Sequence, residues 1–305
     1  MSIQEIAVRE DVLGVTPVDS PNWFAIPTSG TGGVGATPVK IQSNRVRDDL
    51  GISAGSVVGF DIGGQYPAFD YRADQVDNYY ESVMRNTFDA NGSLVNGTDI
   101  ISYSIQRGFN SLTDRYLGYR GNVVTQLDLV FGNVRQGVTL SPTFTGLTHD
   151  SDSSVSAVGA GVIVPETDNR PLSVLDLSNV SLGGLTSVCI QEGSLQIVNT
   201  QTPINCAGSL NALDFQTGNF IVTGTLTFVT TDESWRFFAD RDSAESLPFT
   251  FDLGDGTTSY AHDLPTAQIE FPDPTTIASG ELATVQVNLQ PFQVDGSYTM
   301  QVTKS

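Results

Sequence analysis

The sequence is poor in lysine, cysteine and histidine. Only Lys40 and Lys304 are lysines, and 34 acids against 14 bases give a formal net charge of −20. A surface with so large an excess of negative charge repels phosphates, so the composition argues against tight or sequence-specific binding of nucleic acid. Cys189 and Cys206 are isolated and cannot form a disulfide framework or a zinc site. The Gly-rich run at residues 29–38 lacks the Gly-Lys-Ser/Thr ending of a phosphate loop. The sequence therefore predicts no cofactor and no bound metal.

Long apolar runs are also missing. No stretch of about 18 consecutive apolar residues occurs, so the sequence predicts no membrane-spanning helix. Residues 1–14 lack the basic segment followed by an apolar run that marks a secretory signal peptide. We therefore expect a protein that is neither secreted by this route nor associated with a membrane.

The composition favours a mainly β fold. The 305 residues include 30 Gly and 14 Pro, and Thr, Ser, Asn and Val are frequent, which is typical of strands separated by turns. Several segments alternate apolar and polar residues, as half-buried strands do; examples lie at residues 56–71, 114–133 and 137–150. A chain of this length can bury the core of two ordinary domains or one large one.

One segment, residues 69–84, has helical periodicity instead. Its apolar side chains recur at spacings of three and four residues, which places them on one face of a helix. We predict that this helix lies on a sheet and that Asp70 or Asp74 is its N-cap. The apolar face is formed by Val76, Tyr79, Tyr80, Val83 and Met84.

A shorter helix is predicted at residues 231–240, where Thr231 is the expected N-cap and Trp235 and Phe238 form the apolar face. This second helix follows a strand pair, as the first one does. Strand-like segments at residues 194–199 and 218–229 have the same order as those at 39–44 and 55–64.

The repeated order of strands, helix and closing strands predicts two tandem β-sandwich or barrel modules, each with one short helix on a sheet. Sequence identity between them is low, so chance similarity between two β-rich segments is the alternative. The predicted units are a first module at residues 1–150, a linker at 151–170 and a second module at 171–305.

A projecting hairpin is predicted within the first module, between the helix and the next strands. Two Asn-Gly pairs close to one another are the strongest short-range signal for hairpin turns. We expect residues 89–97 to be dispensable for the fold of one subunit. The named positions of this hairpin are Asp89, Asn91, Gly92, Asn96 and Gly97.

The opening EDVLGVTPVDSPNW at residues 10–23 contains Glu10, a Gly-x-x-Pro step at Gly14 and Trp23. This start, the Gly-rich strand pairs, the single helix and the closing strand at residues 302–305 resemble the tail tube proteins, or major tail proteins, of long-tailed bacteriophages. The resemblance implies a structural virion protein without catalysis. In that family, subunits form hexameric rings with four strands per module in an inner barrel, and the rings stack into a tube that conducts DNA from the capsid to the host.

The resemblance also implies the partners. If the chain contains two modules, three copies form a pseudo-sixfold ring; with one module, six copies are needed. The expected further partners are the tape measure, tail terminator and distal tail proteins, and double-stranded DNA would pass through without specific binding. The protein would be assembled in the host cytoplasm and reside in the phage tail. We expect the hairpin at residues 89–97 and the N-terminal arm to join successive rings, because a heterologous contact is needed to propagate a stack.

The negative charge has a use in such a tube, because an acidic wall lets DNA slide where a basic wall would hold it. Asp61, Asp128 and Glu270 lie in strand-like segments and are the candidate acids of the bore. The alternative for each is an ordinary solvated exterior face.

The sequence leaves two other functions open. The first is a β-sandwich adhesion or receptor-binding module of a phage tail. The second is a serine hydrolase, because residues 51–55 match Gly-x-Ser-x-Gly around Ser53 and His262 follows later in the chain. The strand before and the helix after that such a serine requires are not evident in the sequence, which disfavours the hydrolase.

Overall fold

The computed structural model describes residues 3–18, 22–27, 32–41, 55–109, 111–132, 136–159, 161–166, 169–186, 189–232, 246–270, 284–294 and 296–305. Within them the fold is mainly β, as the sequence predicts, and one α-helix, α1, spans Asp77–Met84. The strands are β1 (Ile3–Arg9), β2 (Asn22–Ala25), β3 (Gly35–Ile41), β4 (Ser56–Gln65), β5 (Phe69–Asp70), β6 (Ser93–Val95), β7 (Tyr103–Phe109), β8 (Tyr116–Phe131), β9 (Val138–Gly146), β10 (Thr148–Ser153), β11 (Val162–Val164), β12 (Leu177–Leu182), β13 (Ile190–Asn205), β14 (Ala212–Val229), β15 (Ser246–Gly254), β16 (Ser259–Glu270), β17 (Thr284–Pro291) and β18 (Gln301–Lys304).

The two halves of the chain pair their strands in the same order. In the first half the order is β1, β7, β8, β9, β4 and β3, and every neighbouring pair is antiparallel. In the second half the order is β12, β15, β16, β17, β14 and β13, again antiparallel throughout. The helix α1 lies between β4 and β7 in the chain, and the predicted second helix would lie between β14 and β15. Trp235 and Phe238 of that helix are outside the described residues.

A ladder between β8 and β13 joins the two halves, with Asp128 opposite Gln196. As a result, eight strands follow one another in one sheet: β3, β4, β9, β8, β13, β14, β17 and β16. The halves also share one hydrophobic core. In it, the rings of Phe131 and Phe251 pack in a T-shaped arrangement with their centroids 5.0 Å apart. The segment at residues 151–170, predicted to be a linker, contains paired strands. It includes the end of β10, which pairs with β8, and all of β11, which pairs in parallel with β2.

The helix is shorter than predicted, and its N-terminal boundary is wrong in the prediction. Asp70 belongs to β5, which pairs with β9, and Asp74 has a left-handed backbone with φ of 69°. The N-cap is Val76, without a side-chain hydrogen bond, so neither aspartate caps the helix. The Asp74 carboxylate instead binds the ammonium of Lys304 at 2.9 Å. The helix ends at Arg85, whose left-handed backbone lets its N–H bond to the carbonyl of Ser82.

The apolar face of the helix packs on the sheet. Five consecutive positions of the predicted stripe are almost completely buried, and α1 contacts β8 and β13. Fully burying each of these aliphatic or aromatic side chains contributes about 1.5–3 kcal/mol to stability. The buried positions are Val76, Tyr79, Tyr80, Val83 and Met84.

The turn after the helix is closed by the carboxylate of Asp89. One of its oxygens accepts the N–H groups of Asn91 and Ser93, each at 2.8 Å. Gly92 has φ of +76°, and an added Cβ there would lie 2.2 Å from the carbonyl oxygen of Lys304. Glycine is therefore required at this close approach to the last strand.

The prediction of a long projecting hairpin at residues 89–97 is wrong. The segment contains only the short strand β6, which pairs with β18 near the C-terminus and buries Leu94 completely. The Asn96 side chain accepts the N–H of Thr299 at 2.9 Å, and the Gly97 N–H bonds to the carbonyl of Met84 at 2.8 Å. The segment thus adds Leu94 to the core and a strand beside β18, so it does not project from the fold. Its exposed part is the turn at residues 89–91.

The N-terminal segment is held by the carboxylate of Glu10, which is buried and accepts four hydrogen bonds. Gly14 is one of the donors and has φ of +75°, so a turn brings the chain back to the carboxylate. Trp23 is buried beside β1. The donors are the hydroxyls of Ser102 and Ser104, each at 2.7 Å, and the N–H groups of Gly14 at 2.7 Å and Gly121 at 2.9 Å.

Candidate functional site

The eight-stranded sheet has one apolar face and one polar face. Successive side chains of a strand point to opposite faces, so each strand contributes to both. On β8, Leu127 and Leu129 are buried in the core with α1, whereas Asp128 between them is on the other face. On β13, Leu195 and Ile197 are buried in the same way. We call the other face the polar face.

Three glutamine side chains hold the carboxylate of Asp128 on the polar face. Gln126 donates to both carboxylate oxygens, at 3.0 and 2.9 Å, and Gln196 on the adjacent strand donates at 2.8 Å. Gln65 of β4 approaches from the other side at 3.4 Å and also donates to Ser141 at 3.1 Å. The carboxylate is half-buried and has no cationic partner in the described residues.

Glu270 is exposed on β16 at the far end of the same face. It stands opposite Asn288 of β17, which donates to its carboxylate at 3.3 Å. Asn288 is in turn opposite Thr225, whose hydroxyl lies 2.8 Å from that of Ser194. A row of polar side chains therefore runs across four strands, from Glu270 to Ser194.

Asp61 is exposed on β4. It precedes Gly63 by two residues, and Gly63 is opposite Thr145 of β9, so Asp61 lies on the polar face as well. The structure thus places all three acids predicted for a bore on one face of one sheet.

Lysine and arginine are missing from the polar face of the described strands. Amides, hydroxyls and four carboxylates dominate, because Glu192 joins the three predicted acids, and there are a few aliphatic side chains such as Val130 and Ile221. The residues that alternate onto this face include Thr37, Val39, Asp61, Gln65, Gln126, Asp128, Val130, Thr139, Ser141, Thr143, Thr145, Glu192, Ser194, Gln196, Val198, Ile221, Thr223, Thr225, Thr227, Val229, Gln268, Glu270, Thr284, Gln286, Asn288 and Gln290. Such a face is well hydrated and offers no cation to a phosphate.

The glutamines around Asp128 were not identified from the sequence. Gln126 and Gln196 each alternate onto the polar face, and this alternation was the available signal. That they meet one carboxylate depends on the pairing of β8 with β13, which the sequence does not specify.

His262 belongs to the core. It is 1% exposed, its Nε2 is 2.8 Å from the hydroxyl of Tyr80, and its ring stacks on Phe251 at 4.4 Å. Burial lowers the pKa of the imidazole from 6.5 to about 3, so the ring is neutral. It has no access to a substrate at the surface, and Ser53 is outside the described residues. The position of His262 therefore disfavours its predicted role as a hydrolase base.

In the described residues no group of three or more His, Cys, Asp or Glu side chains is arranged to hold a metal ion. None of the described helical residues form a span that is both long and apolar enough to cross a bilayer.

An open sheet with a helix on one face and a polar surface on the other is the architecture of a structural β protein that can extend its sheet with further copies. A family model described as phage tail tube protein matches residues 6–298, nearly the whole chain. The chain therefore belongs to the phage tail tube protein family, and it is a structural subunit of the virion tail. Curated proteins gave no match. The family assignment favours the tube subunit over the adhesion module and the hydrolase.

Proposed function

We propose that copies of this chain form rings, that the rings stack into a hollow tube, and that the polar face lines the bore through which double-stranded DNA passes from capsid to host. The observation that carries the proposal is the polar face itself, a continuous eight-stranded surface that bears Asp61, Asp128 and Glu270 but no lysine or arginine among the described side chains that alternate onto it. The function requires no catalysis.

The matching strand order of the two halves supports a tandem duplication, with modules at residues 1–150 and 171–305. Three copies then supply six modules and twenty-four bore strands. At about 4.8 Å between strands, the perimeter is about 115 Å and the backbone diameter about 37 Å, or somewhat more with tilted strands. Side chains fill about 5 Å at each wall, which leaves about 27 Å, enough for one DNA duplex. Six copies would give a backbone diameter of about 73 Å, so the geometry favours three.

The acids act only over a short range. Screening confines their repulsion to about 8–10 Å at physiological salt, so they affect DNA only from the wall of the bore. Duplex DNA carries a phosphate charge about every 1.7 Å, and each lysine or arginine on the wall would bind it by releasing counterions. A wall of amides and hydroxyls with fixed carboxylates would instead keep the DNA sliding.

The proposal includes the contacts beyond one ring. The proposed contacts between successive rings are the exposed turn at residues 89–91 and the N-terminal arm, of which the partly exposed loop at residues 11–18 is available because β1 pairs within the subunit. The tape measure, tail terminator and distal tail proteins are the proposed partners at the ends of the tube, and the host cytoplasm is the proposed place of assembly.

Electron microscopy and native mass spectrometry of the purified protein test the assembly. We expect stacked rings or tubes at high protein concentration, and a smallest ring of three chains. A ring of six would contradict the duplication but not the tube, whereas a protein that stays monomeric at every concentration would contradict the tube.

The bore is tested by reversing its charge. Assembled Asp128→Lys/Glu270→Lys tubes should retain double-stranded DNA at low salt and release it as salt rises, because cations on the wall bind phosphates. Wild-type tubes should not retain it. Asp114→Lys/Glu166→Lys, at two exposed acids outside the eight strands and outside the proposed ring contacts, is the charge-matched control. Equal retention by the control and the double variant would show that the polar face does not meet the DNA.

A further inference from the structure

The second-half hairpin, formed by β13 and β14, extends beyond its own sheet and packs on the first half of the chain. β14 pairs with β17 only from Gly224 onward, so the earlier part of the hairpin is distal. There, Ala212 and Phe215 are buried against Val123 and Leu147, and the Ala212 N–H bonds to the Leu147 carbonyl at 3.1 Å. The hairpin thereby covers the end of β9 in the neighbouring half.

The first-half hairpin, formed by β3 and β4, occupies the same place in the strand order. β4 pairs with β9 only from Ile62 onward, so its earlier residues are likewise distal. The base of this distal part touches the β13–β14 hairpin, because the Phe60 N–H bonds to the Leu210 carbonyl at 3.2 Å. Beyond Gly59, the apolar side chains in the described part of the hairpin are exposed. Its exposed apolar residues, 37–62% accessible, are Val39, Ile41, Val57 and Val58.

The surface that would receive this hairpin is at the end of β17. Ser141 of β9 is opposite Asp128, and Asn288 of β17 is opposite Glu270, so these two positions correspond. Six residues after Ser141 is Leu147 in the first half, and six residues after Asn288 is Val294 in the second half. Leu147 is covered and only 2% exposed, whereas Val294 is 47% exposed and its neighbour Phe292 is 41% exposed.

We propose that the β3–β4 hairpin of one copy packs on Phe292 and Val294 at the end of β17 in the next copy. The inference rests on the proposed ring and identifies its subunit contact. It repeats between chains the contact that the β13–β14 hairpin makes within one chain, so the occupant is a second copy of this chain. One contact would bury both of these exposed apolar surfaces.

A matching gap in the sheet supports the same contact. The ladder from β8 to β13 has no counterpart between β16 and β3 among the described strands. β3 is paired only with β4 there, and Ile269 and Glu270 extend beyond the start of β15 and are paired only with β17. The contact would bring these two edges together and continue the polar face from copy to copy. Because hairpin and acceptor are different surfaces, the contact is heterologous and can close a ring.

The test uses two variants, each with one damaged surface. The hairpin variant is Val57→Lys/Val58→Lys, and the acceptor variant is Phe292→Lys/Val294→Lys. Because all four side chains are exposed in the subunit, both variants should keep the wild-type circular dichroism and melting temperature. Each alone should stay monomeric at concentrations where the wild type forms rings.

An equimolar mixture of the two variants distinguishes this contact from a general loss of solubility. The intact hairpin of one variant can still dock on the intact acceptor of the other, but the remaining surfaces are blocked. We therefore expect a dimer with twice the 32.6 kDa mass of the chain, and no larger species. The charge-matched control Val18→Lys/Leu175→Lys, at two side chains more exposed than either patch, should form rings.

Each outcome is decisive. Rings formed by either variant, or a mixture that stays monomeric, would overturn the contact while the wild-type rings leave the proposed function intact. A wild type that never assembles would overturn both. If a lysine variant fails to fold, the pairs Val57→Ser/Val58→Ser and Phe292→Ser/Val294→Ser serve in the same mixture, because serine removes the apolar contact without adding charge.

Discussion

Acidification should destabilise the subunit through the buried imidazole of His262. Burial lowers its folded-state pKa to about 3, whereas an unfolded histidine titrates near 6.5. Between these values the unfolded chain binds a proton that the folded chain does not, so stability is complete above pH 6.5 and falls as the pH falls. One pKa unit corresponds to about 1.4 kcal/mol, so at pH 5 the folded state has lost about 2 kcal/mol from this residue.

Urea unfolding of the wild type and of His262→Gln, each at about pH 7 and pH 5, isolates this effect. Glutamine does not titrate, and its side chain can still meet the hydroxyl of Tyr80. The carboxylates that titrate elsewhere contribute equally to both proteins. We expect the wild type to lose about 2 kcal/mol more than the variant between the two pH values. An equal loss in both would refute the assignment of a neutral, buried imidazole.

Two further predictions concern the segments that hold the ends of the chain. Glu10→Ala should lower the free energy of unfolding by about 3–4 kcal/mol, because four donors lose their acceptor, and Glu10→Gln should cost less; a loss in urea unfolding below about 1 kcal/mol would contradict the buried carboxylate. Leu94→Ala should cost about 3 kcal/mol, and removal of residues 89–97 should lower the melting temperature more, because β6 is lost from β18; a deletion variant that melts like the wild type would contradict this.

Alternation of apolar and polar residues predicted the long strands well. Within β8, β13 and β14, the buried positions follow a period of two over residues 126–131, 192–202 and 221–229, and this pattern is local to each strand. The helix was located correctly, but its start was not. The spacing of three and four residues is satisfied only from Val76 onward, and Phe69–Asp70 is recruited by β9, about 70 residues away in the chain.

Pairing between strands that are far apart in the chain also explains why the prediction for the segment at residues 89–97 was wrong. Its Asn-Gly pairs predicted turns, and Gly92 does adopt a positive φ. A hairpin also needs its two arms to pair with one another, and here the arm at β6 pairs with β18, more than 200 residues away. Pairing across such a distance is decided by the shared core, which no local pattern encodes.

For the polar face, the sequence predicts to which side of the sheet each side chain points, but not which residue lies opposite it on the neighbouring strand. In the sequence, residues 39–44 and 194–199 are predicted to be equivalent strands of the two modules. In the structure, residues 39–41 lie in the distal part of the β3–β4 hairpin, whereas residues 194–198 pair with β8. A slip by an even number of residues leaves every side chain on its face, whereas a slip by one would turn Leu127 outward and Asp128 into the core. Burying that carboxylate without a cation would cost several kcal/mol, so the one-residue slips are strongly disfavoured. The face on which each acid lies therefore follows from the sequence, although the residues that surround the acid do not.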